Sequence, residues 1–222
     1  MLIRRERAED APAVASVHRS AFGALYAREN AERAAGESPA ETTGRSPAEH
    51  TGRSSAEHTG RSPAEHTGRS PAERTAPSPP EPPEVDLVAR LRSDAGWIPT
   101  LSLVAVEFDT VIGHVCLTRA AVGPFPALGL GPLGVHPEHQ GAGVGSALMH
   151  AAIGAADALD EPLIGLLGSL DYYPRFGFVP AARLGIAPDE PDWVSHFQVR
   201  PLTTYEAQIT GEFHYAEPFY EL

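Results

Sequence analysis

Three glycines at alternate positions, in Gln140-Gly141-Ala142-Gly143-Val144-Gly145-Ser146, offer chemistry that needs no side chain. An apolar, strand-like run, Ala127 to Val135, comes just before them and ends in Leu133-Gly134-Val135-His136-Pro137. A helical pattern follows, with Val144, Leu148, Ala151, Ala155 and Leu159 at spacings of three and four. The first turn of a helix leaves its amides unpaired, and its dipole favours negative charge. Gly141, Gly143 and Gly145 carry no Cβ, so a phosphate can sit against the main chain itself. The expected chemistry is the gripping of a diphosphate by backbone N–H groups, with a hydroxyl added by Ser146. A second glycine pattern, Gly129-Leu130-Gly131-Pro132-Leu133-Gly134, spells the dinucleotide motif literally. That motif must leave a strand and open a helix, whereas these glycines lie inside the apolar run and precede His136-Pro137, so the dinucleotide reading is set aside.

Downstream, Asp171-Tyr172-Tyr173-Pro174-Arg175-Phe176-Gly177-Phe178 contains Tyr-x-x-x-Gly-Phe. The Gln-x-x-Gly-x-Gly loop and this segment, in this order and at about this separation, resemble the acyl-CoA-binding and fourth conserved regions of the GCN5-related N-acetyltransferases. The resemblance covers roughly residues 1–35 and 84–200. It implies a mixed α/β fold whose two central strands splay apart and admit the pantetheine arm of acetyl-CoA between them. It further implies that Leu133 and Val135, beside Gly134, pair through their backbone with pantetheine amides. Many relatives carry Arg or Lys where this chain has Ala142, so another arginine would have to supply that charge.

The resemblance casts Tyr173 as the general acid. A phenol has an unperturbed pKa of about 10, stays protonated at neutral pH, and can donate to the departing CoA sulfur. Tyr172 reads as a packing aromatic. Some relatives take the acceptor's proton with a Glu on the strand before the glycine loop, but Ala127 to Val135 contains no acid. His114 and Glu107 are alternatives, acting directly or through water, though each also reads as structural. Cys116, the single cysteine, lies in an apolar run without a basic neighbour in sequence and does not read as a nucleophile. The expected function is direct transfer of an acetyl group from acetyl-CoA to an amine, small molecule or peptide. A non-catalytic acyl-CoA sensor is the other reading. No metal is expected, because the histidines lack ligand spacing.

These residues need elements to hold them. Leu2-Ile3-Arg4-Arg5 reads as a strand and Ala11 to Ala24 as a helix, with Val14, Val17, Ala21 and Leu25 on one face. Val85 to Leu91 suits a second helix. Leu101 to Phe108 and Val111 to Leu117 read as a hairpin across Asp109-Thr110. Gly and Pro within Ala127 to Val135 call for a bulge, placed near Leu133-Gly134. Pro162 to Leu167 is a buried strand, Ser169 to Phe176 a short helix, and Phe178-Val179 and His196 to Val199 are late strands. The layout is α/β with an antiparallel front half.

From Glu41 an octapeptide repeats, ETTGRSPA, EHTGRSSA, EHTGRSPA, EHTGRSPA, then ERTAPSPP. It holds no aromatic or large aliphatic side chain to offset the entropy of ordering, so 36–83 is expected to be a disordered insertion. The single acetyltransferase domain then comprises 1–35 and 84–204. The tail 205–222, with Tyr205, Phe213, Tyr215, Phe219 and Tyr220, has no pattern that assigns it.

The net charge of −12 counts against a nucleic-acid partner. All basic residues are Arg, so the Gly-Lys-Ser/Thr of a P-loop is absent. No apolar run approaches the roughly eighteen residues that span a bilayer, so no membrane is expected. A charged N-terminus and one cysteine fit a cytoplasmic protein. The partner is an amine acceptor, and a homodimer is allowed.

Overall fold

The computed structural model describes residues 1–36 and 81–221. The strands are β1 (Leu2–Arg5), β2 (Trp97–Glu107), β3 (Thr110–Val122), β4 (Phe125–Val135), β5 (Leu163–Leu167), β6 (Val179–Pro180), β7 (Ile186–Pro188), β8 (Phe197–Pro201) and β9 (Gly211–His214). The helices are α1 (Ala11–Gly36), α2 (Pro83–Ser93) and α3 (Val144–Asp157). The sheet runs β1-β2-β3-β4-β5-β8-β6, with β9 pairing β3 and β7. Only β4–β5 and β7–β9 are parallel.

Side-chain alternation assigns the two faces. Leu103, Ala105, Val115 and Leu117 point toward α3, whose Leu148, Met149 and Ala152 are fully buried. Val104 and Cys116 point the other way, to Val14 of α1 and to Val88, Leu87 and Leu91 of α2. Each fully buried leucine contributes on the order of 2 kcal/mol. The buried face of α3 is Val144, Leu148, Met149, Ala152, Ile153 and Ala156, rotated from the expected stripe. Leu159 lies beyond the helix, 48% exposed. No described helix is long and apolar enough to cross a membrane.

β4 and β5 are in parallel register at Leu128↔Ile164 and Gly129↔Gly165 alone. Beyond that point they part, as the splayed arrangement requires. The bulge sits two residues earlier than expected. Val115 pairs with Leu133 and Leu117 with Leu130, so Gly131 and Pro132 together oppose Cys116. Pro132 has no N–H to give the ladder, and the Cys116 thiol donates to the Gly131 carbonyl at 3.1 Å. The literal G-x-G-x-x-G is therefore strand, not a phosphate loop. Its glycines make room: a Cβ on Gly129 would meet the Tyr215 ring at 2.6 Å, one on Gly131 the Phe219 ring at 3.5 Å, and one on Gly134 the His18 ring at 2.7 Å.

Two expected boundaries change. The tail is part of the fold, because β9 joins the sheet through Ala121↔His214 and Val122↔Phe213, with Phe213 fully buried. At the margins of the expected insertion, Gly36 ends α1, Pro83 opens α2, and Glu81 pairs with Arg19. The octapeptides themselves lie outside the described residues.

Candidate active site

The glycine loop folds as its spacing suggests. Gly141 and Gly143 have φ of +74° and +85°, conformations that favour residues without a Cβ. Gly143 is the N-cap of α3, and the helical ladder starts with the Ala147 N–H donating to the Gly143 carbonyl at 2.9 Å. The amides of Val144, Gly145 and Ser146 thus precede the ladder and have no partner within it. Gly145 and Ser146 line a cavity of about 410 Å³ together with Leu133, Val135, Gln140, Gly141 and Gly143, and with Ala21, Phe22, Tyr172 and Arg175.

Most of the residues expected to hold the coenzyme therefore share one cavity, and three do not line it. Gly134 faces His18, Val144 is buried under the helix, and Ala142 is exposed on the loop. The Gln140 side chain donates to the Val135 carbonyl at 3.0 Å, tying the loop to the end of β4.

Tyr172, read as mere packing, belongs to this cavity. Its hydroxyl lies 2.8 Å from where a Gly145 Cβ would stand, and Ser146 shares the lining. Arg175 lies over the Tyr172 ring, 4.8 Å from its centroid, and lines the same cavity. It places a cation on the lining of a cavity whose glycine loop carries Ala142 and no charge. A 3₁₀ turn over Tyr173–Phe176 folds the arginine back over the tyrosine, a placement that no periodicity in the sequence announces.

Tyr173 lines a neighbouring cavity of about 570 Å³. The two cavities share Phe22, Leu133 and Tyr172 as walls. Any side chain on Gly168 would collide with the Tyr173 ring, which also packs edge-on to Tyr172 and Phe178. Burial raises the Tyr173 hydroxyl to a pKa of about 12. One carboxylate, Glu84 of α2, is on the described lining of this second cavity. Sequence periodicity could not single it out, because its place depends on how α2 packs.

Neither residue considered as a base lines either cavity. Glu107 sits at the hairpin end, 3.7 Å from the N-terminal amine and 3.8 Å from His139. His114 is fully buried between β3 and α1. Its Nδ1 is 2.8 Å from His18 Nε2, and its Nε2 is 3.0 Å from Ser102 Oγ and 3.3 Å from Glu6 Oε2. Ser102 and Arg92 also bond Glu6. Burial lowers the pKa of both histidines. Burial opposes the Glu6 charge, yet the bonds from His114 and Ser102 and the nearby Arg92 outweigh it and hold the carboxyl at about 2. Cys116 is fully buried, and burial pushes its thiol far up.

The expectation of no metal considered spacing along the chain alone. The turn Pro137–His139 brings ligand atoms of His136, Glu138 and His139 within 4.8 Å of one another, a group that could hold a metal ion.

Comparison with known proteins places this geometry. An acetyltransferase (GNAT) domain model matches residues 99–180. The uncharacterized N-acetyltransferase YjhQ of Escherichia coli is 35% identical over 144 residues, spanning 61% of this chain and 79% of YjhQ. Among solved structures, the GNAT family N-acetyltransferase YhbS of E. coli, in complex with CoA, superposes with a TM-score of 0.67 at 23% identity, covering 99% of this chain and 91% of that one. A GNAT family acetyltransferase of Brucella melitensis, in complex with acetyl-CoA, gives 0.61 at 23% identity, covering 98% and 97%.

Proposed function

This chain belongs to the GNAT family of acetyltransferases, and on that footing we propose that it moves the acetyl group of acetyl-CoA directly onto an amine. One observation carries the reading: the glycine turn at the head of α3 opens onto a cavity that meets a second cavity along the Tyr172 wall. Two similar folds hold CoA or acetyl-CoA, which supports the same coenzyme here. The diphosphate sits on the amides of Val144, Gly145 and Ser146, with Arg175 supplying positive charge. The pantetheine arm follows the free edge of β4 at Leu133 and Val135, where β5 has turned away.

The amine enters from the second cavity. After the amine loses a proton, its lone pair attacks the thioester carbonyl, the C–N bond forms, and the C–S bond breaks. The departing electrons rest on sulfur. A phenol with a pKa near 12 is a weaker acid than an ordinary thiol at about 8.5. Tyr173 therefore acts mainly as a hydrogen-bond donor to the sulfur as its charge grows; the ammonium's first proton passes to water before attack, and the second, shed by the nitrogen of the tetrahedral adduct, ends on the departing thiolate. Cys116, buried and protonated, takes no part.

Acetyl-CoA mixed with amines is expected to release thiol steadily. Tight coenzyme binding without thiol release from any amine would instead identify a non-catalytic acyl-CoA sensor.

A further inference from the structure

The turn that joins β4 to the glycine loop, His136-Pro137-Glu138-His139, lies outside both cavities, since none of these residues lines either one. Backbone bonds hold it throughout. The His136 N–H donates to the Ile112 carbonyl of β3 at 2.9 Å, the His139 N–H to the His136 carbonyl at 2.8 Å, and the Gln140 N–H to the Pro137 carbonyl at 3.2 Å. Pro137 fixes φ at the start of the 3₁₀ turn. Residues three apart in such a turn stand on the same side, which brings the His136 and His139 rings together with centroids 6.0 Å apart. One ligand atom from each of His136, Glu138 and His139 lies within 4.8 Å of the other two.

A second observation points to an ion. His136 Nδ1 is shielded from solvent and has no hydrogen-bond partner among the described residues. Such an atom in a native protein is normally met by a water or an ion. It stands 4.0 Å from Glu138 Oε2, close to the span of two zinc–ligand bonds of about 2.0–2.2 Å each. An ion between them reaches Nδ1 from the carboxylate side, and Glu138, 83% exposed, opens that side to solvent. Glu107 Oε2 lies 3.8 Å from His139 Nδ1, while its Oε1 faces the N-terminal amine at 3.7 Å. A carboxylate beside a ligating imidazole orients the ring and raises its basicity.

We propose that His136, Glu138 and His139 bind one divalent first-row transition ion of the zinc class, with water completing its shell. The donors make the selection: two imidazoles suit zinc and its neighbours, whereas magnesium and calcium take oxygen ligands. The ion braces the turn from which Gln140 and the glycine loop start. The site does not depend on the transferase reading.

The test uses untagged full-length protein, stripped of metal by a chelator and dialysed, and titrated calorimetrically with Zn²⁺. Wild type is compared with Glu138→Gln and with the double variant His136→Ala/His139→Ala. Wild type is expected to take up one equivalent more than the double variant, whatever the other histidines bind. Glu138→Gln should weaken that equivalent by about tenfold or more, since loss of even an outer partner costs this much. Excess Mg²⁺ should not displace it. Co²⁺ reports the donors independently: visible absorption of an imidazole-bound ion is expected in wild type and is lost in the double variant. Equal zinc stoichiometry in wild type and double variant, an affinity unmoved by Glu138→Gln, or displacement by Mg²⁺ overturns the proposal. Should the double variant fail to fold, Glu138→Gln, changed only at an exposed side chain, decides alone.

Discussion

Tyr172 and Tyr173 are neighbours in the chain with different surroundings. Tyr172 lines the first cavity beside Ser146 and carries Arg175 on its face, whereas Tyr173 is enclosed by Gly168, Phe178 and the second cavity. Tyr173→Phe removes only the donor, so it is expected to lower kcat by about a hundredfold while the Kd for acetyl-CoA stays nearly constant. Stopped assays for turnover and calorimetry for affinity separate the two, and equal kcat would remove the hydroxyl from the mechanism. Gly143→Asp acts on binding. Its left-handed φ of +85° strains any side chain, by about 1–2 kcal/mol, and its carboxylate would stand where the diphosphate is held. Loss of acetyl-CoA binding with retained circular dichroism is expected. At this scale the sequence was most legible where chemistry is local in the chain: alternating glycines before a helix, and a tyrosine four residues ahead of Gly177. Arg175 and Glu84 were not legible as site residues. One arrives by a turn folding back and the other by helix docking, and neither leaves a periodic trace.

Among elements, the joint between α1, β2 and β3 carries the main pH dependence. His18 on α1 and His114 on β3 are held neutral by burial, with pKa values below their ordinary one. In the unfolded chain they protonate below about 6.5. The unfolded state then binds more protons than the native one, so stability falls as pH drops through that value. Glu6 adds to this in the same direction. Its folded pKa of about 2 lies below the ordinary 4.5, so its contribution is complete above 4.5 and is lost between there and 2. Urea midpoints should therefore fall between pH 7 and pH 4, and His18→Leu should flatten the upper part of that fall. A midpoint independent of pH would contradict the assignment. Elements themselves were readable from pattern: the hairpin around Asp109-Thr110, the strand before the glycine loop and the helix after it stand where periodicity puts them. Two details escaped. The bulge falls at Gly131-Pro132 because Cys116 and its neighbours fix the register. The buried face of α3 is turned because α3 must cover several strands, so Met149 and Ile153 go inward and Leu159 does not.

For the molecule as a whole, two neighbouring cavities meet along Phe22, Leu133 and Tyr172. The octapeptides between α1 and α2 contain no large apolar side chain. Replacing 37–80 with a Gly-Ser linker is expected to leave the thermal midpoint and acetyl-CoA affinity unchanged, and a loss of either would show that the segment is structural. The C-terminal segment behaves oppositely. Its aromatic residues gave no helical or strand period to read, because what fixes them is long-range: β9 against β3, Tyr215 against Gly129, and Phe219 against Gly131.

That last placement has an effect on timing. Translation delivers the diphosphate turn and both tyrosines of the 172–173 pair well before residues 211–219. A chain stopped in between would lack the strand and rings that close one side of the neighbouring chamber, so that chamber is completed last.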